Sequence, residues 1–178
     1  MIAYHTCSNR GGIDAVSKKA PFLSKNSSKT WLTQGYYFWT EDPYFAYKWG
    51  KDAYDDNYFI FEYFLNFTEE KKYLDLTSLQ GQLYFNKIIS KVKIKGELNW
   101  TVNALISFLR DKKNDMGHLF PYIAIKAKDS MSQTKIIFVK GRNEYMPLFE
   151  RHQVCVFQEA ADIIQYQRIE YPAEKKGA

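Results

Sequence analysis

The stretch that most constrains the fold is LTQGYYFWTEDPYFAYKWG, residues 32–50, because it joins a dense aromatic run to the start of a helix. Aromatic side chains favour strands, so residues 31–39 are predicted to form a strand, with Gly35 at a bulge or a close backbone approach. Thr40 or Asp42 is suited to cap the helix that follows. The rings serve either as core or as a platform on which a flat ligand stacks.

The remaining segments mix strands and helices in no repeating order. Strands are predicted over residues 2–6, 57–67, 71–78, 121–127, 135–140 and 151–158, with a last strand after a turn, and helices over residues 13–20, 40–54, 79–92 and 99–112. This mixture, without a repeating strand–helix–strand unit, indicates an α+β fold. No linker divides the chain, so residues 1–171 are predicted to form a single domain and residues 172–178 a disordered tail.

The composition narrows the classes of partner. The chain of 178 residues is 17% aromatic and carries a formal net charge of +5. A basic excess favours a polyanionic partner or substrate, such as nucleic acid or a dinucleotide, although solubility alone is the commoner reason for an excess of this size. The start of the chain lacks a secretion signal and no apolar run approaches a membrane span, so a cytoplasmic protein with no membrane partner is expected.

The cysteines and histidines do not predict a metal site. Cys7 and Cys155 lie in apolar, strand-like segments and are expected to be buried free thiols. The three histidines and two cysteines show none of the spacings typical of structural zinc. The sequence therefore predicts no metal ligand.

Three pieces of the sequence are candidates for chemistry, since no P-loop, dinucleotide fingerprint or hydrolase elbow is present. His5 ends the first strand, and Gln153 begins the C-terminal apolar strand. Between them in the sequence, alternation places Tyr37 on one face of the aromatic strand and Tyr36 on the other, so only one of the two rings can face a cleft. Without further context, His5 is more often a hydrogen-bonded core histidine than a ligand-binding one.

The order of these pieces resembles a known family. YHTCS resembles the Tyr-His-Gly-Thr/Ser strand that opens ADP-ribosyltransferase catalytic domains of the His-Tyr-Glu branch, to which diphtheria toxin and the poly(ADP-ribose) polymerases belong. QGYYFWTEDPYFAYKWG resembles their Gly-x-Tyr-Phe element, followed by a loop and a helix with a small residue, here Ala46. YLDLTSLQGQL is similar to a Leu-Asp-Leu-Thr segment of bacterial members that accompany toxin and phage-defence loci, and HQVCVFQEAADIIQYQRIEY to their final strand pair.

The resemblance implies a fold and a site. The fold would have two small, mainly antiparallel sheets that form an NAD cleft, with flanking helices. His5 would hold a ribose hydroxyl of the nicotinamide half of NAD, and the backbone of Thr6 would anchor the carboxamide. Tyr37 would stack on the nicotinamide ring, and Gln153 would bind the 2′-hydroxyl of that ribose. The catalytic set implied is His5, Tyr37 and Gln153; the NAD-binding set is His5, Thr6, Gly35, Tyr36, Tyr37 and Tyr47.

The sequence departs from the family pattern at several of these positions. Thr6 stands where a Gly is usual, and the second stacking Tyr would fall at Lys48, between Tyr47 and Trp49. A Glu is usual where Gln153 stands, which suits transfer of a single ADP-ribose better than chain elongation. Alternatively, the acid comes from a nearby residue, Glu150 or Glu159.

The function expected from this resemblance is NAD-dependent mono-ADP-ribosyl transfer by an intracellular toxin or phage-defence effector. The acceptor would be a protein or a nucleic acid, and a neutralising antitoxin is a possible partner. If water is the acceptor, the same site would be an NAD glycohydrolase. The alternative from another class is a binding module that holds NAD or ADP-ribose without turnover.

Overall fold

A computed structural model describes residues 1–25, 30–93, 100–112, 119–129, 134–137, 139–141, 145–148 and 150–172. The predicted disordered tail lies outside the described residues from residue 173 onward. The elements are β1 (Ile2–Ser8), α1 (Ile13–Ser17), β2 (Tyr36–Thr40), α2 (Tyr44–Tyr54), β3 (Tyr58–Leu65), β4 (Tyr73–Asp75), α3 (Leu79–Lys93), α4 (Val102–Asp111), β5 (Ala124–Asp129), β6 (Thr134–Ile137), β7 (Tyr145–Leu148), β8 (Arg151–Val156), a 3₁₀ turn (Gln158–Ile163) and β9 (Ile164–Tyr171).

One mixed sheet of seven strands organises the molecule, in the order β4-β5-β8-β2-β1-β3-β9. Its neighbours are antiparallel except for β4 and β5, which are parallel. The predicted α+β class is therefore confirmed. The arrangement differs from the two small sheets expected from the resemblance, because β6 and β7 form only a separate antiparallel pair and every other described strand joins the large sheet.

The two faces of the sheet are covered by different elements. Phe38 of β2 packs in a core that includes Val16 of α1 and Ile163 of the 3₁₀ turn. On the opposite face, Trp39 packs beside Ala46 of α2, and α3 and α4 cover the β4–β5–β8 side. The predicted alternation along β2 is confirmed, because Tyr36 packs with the core of Phe38 and Tyr37 with the opposite face.

Local contacts set the start and the packing of α2. The N-cap of α2 is Pro43, with no side-chain cap hydrogen bond, so the predicted cap at Thr40 or Asp42 was wrong. The Asp42 carboxylate, one residue earlier, accepts the Tyr44 N–H at 2.7 Å. Helical spacing predicts an inner face of Phe45, Ala46, Trp49 and Ala53, which was partly wrong. Ala46 and Gly50 are the buried residues of α2, whereas Ala53 is exposed.

Strand β2 is shorter than predicted because the segment before it turns. It begins at Tyr36 rather than at residue 31. Gly35 packs against β8 so closely that a Cβ there would lie 2.5 Å from the Val156 carbonyl oxygen. The expected close approach at Gly35 therefore involves β8 and not a ligand.

Two further boundaries differ from the predictions. Helix α1 ends at Ser17, ahead of the predicted end at residue 20, and strand β7 occupies part of a stretch with no predicted strand. Within the described part of the chain, no helix combines the length and the apolar character that crossing a bilayer requires.

Candidate functional site

The candidate site is a cleft where β1 and β2 separate. The two strands are paired at Ala3 with Thr40 and at Tyr4 with Trp39, and the register goes no further toward Ser8. A cavity of about 460 Å³ lies at this opening, within the size range of small-molecule sites. The described residues that line it are His5, Thr6, Cys7, Ser8, Arg10, Phe22, Leu23, Ser24, Lys25, Thr30, Trp31, Tyr37, Phe38, Trp39, Trp49, Tyr54 and Gln153.

The backbone of β1 directs polar groups into this opening. The Met1 carbonyl accepts the Leu65 N–H at 2.8 Å, and the Asn9 N–H donates to the Asn57 carbonyl at 3.0 Å. The N–H and C=O groups of odd-numbered residues of β1 therefore point toward β3, and those of even-numbered residues point toward β2, because the direction of these groups alternates along an antiparallel strand. Thr6 lies beyond the last recorded β1–β2 pair, so its N–H and C=O point toward the cleft.

His5 bridges the two separating strands with its ring. Its Nδ1 lies 2.9 Å from the Tyr37 carbonyl oxygen, and its Nε2 lies 3.1 Å from the Phe22 backbone nitrogen. Since a carbonyl only accepts, Nδ1 carries the proton and donates it, and Nε2 accepts the Phe22 N–H. Burial lowers the pKa of His5 to about 4, so the ring is neutral near pH 7.

This geometry corrects the role implied for His5. Both ring nitrogens are bonded to backbone groups, so neither is available to a ribose hydroxyl in this arrangement. His5 instead holds Tyr37 and Phe22 in place at the wall of the cleft.

Tyr37 contributes its ring and not its hydroxyl to the cleft. The hydroxyl donates to the Thr33 carbonyl at 2.8 Å and accepts the N–H groups of Leu32 and Thr33, each at 3.2 Å. Burial raises the pKa of the phenol well above its ordinary value. Tyr36, which the resemblance also placed at NAD, packs on the other face and does not line the cleft.

Gln153 lies in the cleft, directly across from Trp39 in the β2–β8 register. Its Oε1 accepts a hydrogen bond from the Trp31 indole Nε1 at 2.9 Å. The two alternative acids point elsewhere. Glu159 pairs with Arg110 at 2.8 Å, Glu150 pairs with Lys128, and neither lines the cleft.

Thr6 and Gly35, two residues of the implied NAD-binding set, do not direct a side chain into the cleft. The Thr6 hydroxyl donates to the Ala46 carbonyl at 3.0 Å, so the side chain is turned toward α2 and only the Thr6 backbone faces the opening. Gly35 does not line the cleft; its N–H donates to the Ser24 hydroxyl at 3.1 Å. Gly35 thereby holds the segment that carries Ser24 and does not contact the cavity itself.

The ring that α2 contributes is Trp49 and not Tyr47. The Tyr47 hydroxyl donates to a Glu170 carboxylate oxygen at 3.2 Å, and its ring contacts Tyr171, which places it against β9. Trp49 lines the cleft while 44% exposed. Its ring centroid lies 6.2 Å from that of Trp39.

The charges around the cleft are positive. Arg10 donates from Nε to the Ser8 hydroxyl at 2.9 Å, its guanidinium carbon lies 5.8 Å from the Phe22 ring centroid, and Lys25 also lines the cavity. Among the described lining residues there is no Asp or Glu. Aromatic walls with two cations suit a flat ligand that carries negative charge.

Several lining residues were not expected from the sequence, among them Arg10, Phe22, Lys25 and Trp31. Arg10 was the most accessible to prediction, because it closely follows the end of the first strand. Trp31 was assigned to the aromatic strand, which hid its position in a separate segment. No group of three or more His, Cys, Asp or Glu side chains able to hold a metal ion occurs within the described ranges.

The chain was also compared with known proteins. No model of a protein family matches it, no curated protein is significantly similar to it, and no solved structure is significantly similar in fold.

Proposed function

We propose that this chain is an NAD-dependent mono-ADP-ribosyltransferase with an ADP-ribosyltransferase-like fold, which acts as a toxin or defence effector on a protein or nucleic-acid acceptor. One observation carries the proposal. His5, Tyr37 and Gln153 are far apart in the sequence, yet they come from three consecutive strands of the sheet, β1, β2 and β8, and line one cleft. These are the three positions that the sequence resemblance singles out.

The lining of the cleft fits the chemical parts of NAD. The rings of Tyr37 and Trp39 are suited to a flat pyridinium, because aromatic faces attract cations. The N–H and C=O of Thr6 match the two hydrogen-bonding groups of a carboxamide. Arg10 and Lys25 are suited to the pyrophosphate.

The reaction depends mainly on how the cleft positions the ribose and the leaving nicotinamide. The bond between the ribose C1′ and the nicotinamide nitrogen breaks, and nicotinamide leaves with the electron pair. The acceptor then forms a bond to C1′ and loses its proton. A site of this kind works by holding the sugar and the leaving ring in place in surroundings suited to the developing charge. Gln153 would hold a ribose hydroxyl. His5 would hold Tyr37 and Phe22 in place at the wall of the cleft.

A second candidate function is a module that binds NAD or ADP-ribose without turnover. The absence of Asp and Glu from the described lining residues favours it, because no negative charge faces a developing oxocarbenium ion. If turnover occurs with water as the acceptor, the activity is that of an NAD glycohydrolase.

Release of nicotinamide from NAD tests the proposal, measured with and without a cell extract as the source of acceptor. Gln153→Ala is expected to lower the release rate about 100-fold, the typical effect of removing one positioned hydrogen-bonding group from a reacting centre. The matched control is Gln158→Ala, since Gln158 is exposed in the 3₁₀ turn.

Each outcome separates the candidates. Release that depends on extract supports the transferase, and equal release without extract supports the glycohydrolase. NAD binding by calorimetry without release supports the binding module. If the wild-type protein neither binds NAD nor releases nicotinamide from it, the NAD proposal is overturned.

A further inference from the structure

One hydrogen bond joins the Trp31 segment to β8 inside the cleft. The Trp31 indole N–H lies 2.9 Å from the Gln153 side-chain oxygen, and both residues line the cavity. An indole N–H only donates, so the amide atom that faces it is the oxygen. Trp31 therefore bonds to the oxygen of the Gln153 amide and not to its NH₂ group.

We propose that Trp31 is a positioning residue: it fixes the Gln153 amide so that the amide presents N–H donors, and not its oxygen, to the substrate. This inference rests on the proposed function, because it concerns the residue placed at the ribose of NAD. The substrate group that Gln153 recognises is then a hydrogen-bond acceptor, such as a sugar hydroxyl oxygen.

The segment that carries Trp31 is anchored on both sides. Before Trp31, the Thr30 carbonyl accepts a hydrogen bond from the Asn103 amide. After it, the Thr33 hydroxyl lies 3.1 Å from the Ser107 hydroxyl. Helix α4 therefore holds the backbone around Trp31, and a supported donor of this kind keeps its direction without further ordering.

A second anchor ties the Trp31 segment to β2. The Tyr37 hydroxyl accepts the N–H groups of Leu32 and Thr33 and donates to the Thr33 carbonyl. The ring that faces the cavity and the indole that orients Gln153 are thus connected through one turn of the backbone. Arg110 adds a hydrogen bond to the Thr33 hydroxyl at 3.1 Å.

The orientation has a chemical consequence. Because the oxygen of Gln153 is turned toward Trp31, the groups that its amide, Arg10 and Lys25 direct at a ligand are N–H donors. A carboxylate in place of the amide would behave differently. In Gln153→Glu, one oxygen could accept the Trp31 N–H while the other gave the cleft a negatively charged acceptor.

A double-mutant cycle between Trp31→Phe and Gln153→Ala tests the inference. Phenylalanine keeps an aromatic ring and removes the N–H. Trp31→Phe is expected to weaken NAD binding and nicotinamide release about fivefold in the wild-type background, the usual size of one hydrogen bond, and to have no further effect in Gln153→Ala. Equal losses in both backgrounds would assign Trp31 to packing alone and overturn the inference.

A nuclear magnetic resonance measurement without nucleotide keeps the inference separate from the proposed function. The Gln153 side-chain NH₂ signals are assigned by their loss in Gln153→Ala. They are expected to shift toward free-amide values in Trp31→Phe and to stay unchanged in the control Trp100→Phe, whose ring lies outside the cleft. Unshifted signals in Trp31→Phe would overturn the role of Trp31, whereas absence of NAD binding to the wild-type protein would overturn the proposed function.

Discussion

The two edges of β1 differ in how they are closed. Along β3, β1 is paired at every residue from Ile2 to Ser8, whereas along β2 it is paired only at Ala3 and Tyr4. The first edge is an ordinary antiparallel ladder. The second edge opens into the cleft. The site is therefore made by ending a backbone ladder early inside a sheet.

Side chains replace the missing backbone bonds at the open edge. A carbonyl buried beside a separated strand needs a donor, and the Tyr37 carbonyl receives one from the His5 ring. At the closed edge, the residue opposite His5 is Phe61, which is fully buried in the core. His5 thus lies opposite a buried core residue on the β3 side and donates a hydrogen bond at the cavity on the β2 side.

The largest expected effect concerns the imidazole that supports the open edge. Burial lowers the pKa of His5 from 6.5 to about 4, so the unfolded state binds a proton more readily than the folded state. Stability from this group is present above pH 6.5 and is lost as the pH falls from there toward 4. At about 1.4 kcal/mol per pH unit, the loss is about 3 kcal/mol.

Denaturant unfolding at several pH values measures this effect. His5→Asn keeps a donor and an acceptor but does not titrate, so its free energy of unfolding should lack this component of the pH dependence. Parallel curves for the wild-type and His5→Asn proteins between pH 6.5 and 4 would show that His5 is not a buried neutral bridge.

A smaller effect is expected from the ring at the open edge. Tyr37→Leu should weaken NAD binding by about 1–3 kcal/mol, the contribution of stacking on one aromatic ring, measured by calorimetry. Tyr36→Leu is the matched control on the opposite face of β2. Because the Tyr37 hydroxyl anchors Thr33, Tyr37→Phe separates loss of the anchor from loss of the ring. Equal weakening by Tyr36→Leu would contradict the facing of the two rings.

The smallest effect is expected from charge. Arg10→Gln should raise the dissociation constant of NAD about twofold to fivefold at low salt, since an exposed ion pair contributes about 0.5–1 kcal/mol. The difference should shrink at high ionic strength because salt screens exposed charges. Arg168→Gln is the control at the closed side, where Arg168 pairs with Glu62 of β3. A change of the same size in Arg168→Gln would mean that net charge, and not the cleft, attracts the ligand.

Local features of the fold were predictable from the sequence. The alternation of Tyr36 and Tyr37 follows from strand geometry, and the start of a helix shortly after Thr40 follows from the residues there, although the N-cap is Pro43. The separation of β1 from β2 was not predictable, because it depends on His5 meeting a carbonyl from another strand. The close packing of Gly35 is likewise a tertiary contact: the sequence predicted a close approach there but not that β8 makes it.

The candidate site was predictable only in outline. His5, Tyr37 and Gln153 do line one cleft, but the hydrogen bonds that fix their roles come from residues distant in the sequence. The bond from Trp31 to Gln153 spans 122 positions, and no spacing rule reaches that far. Tyr47 was preferred to Trp49 by residue type, whereas the rotation of α2 decides which ring faces the cavity.

The distribution of tryptophan has a practical consequence. Of the four tryptophans in the chain, Trp31, Trp39 and Trp49 line the cleft, and Trp100 lies apart from it. Indole emission depends on the polarity and the quenchers around the ring, so the ultraviolet fluorescence of the unlabelled protein reports mainly on this cavity. A ligand in the cleft changes the surroundings of three of the four tryptophans, so intrinsic fluorescence can measure ligand binding without a label.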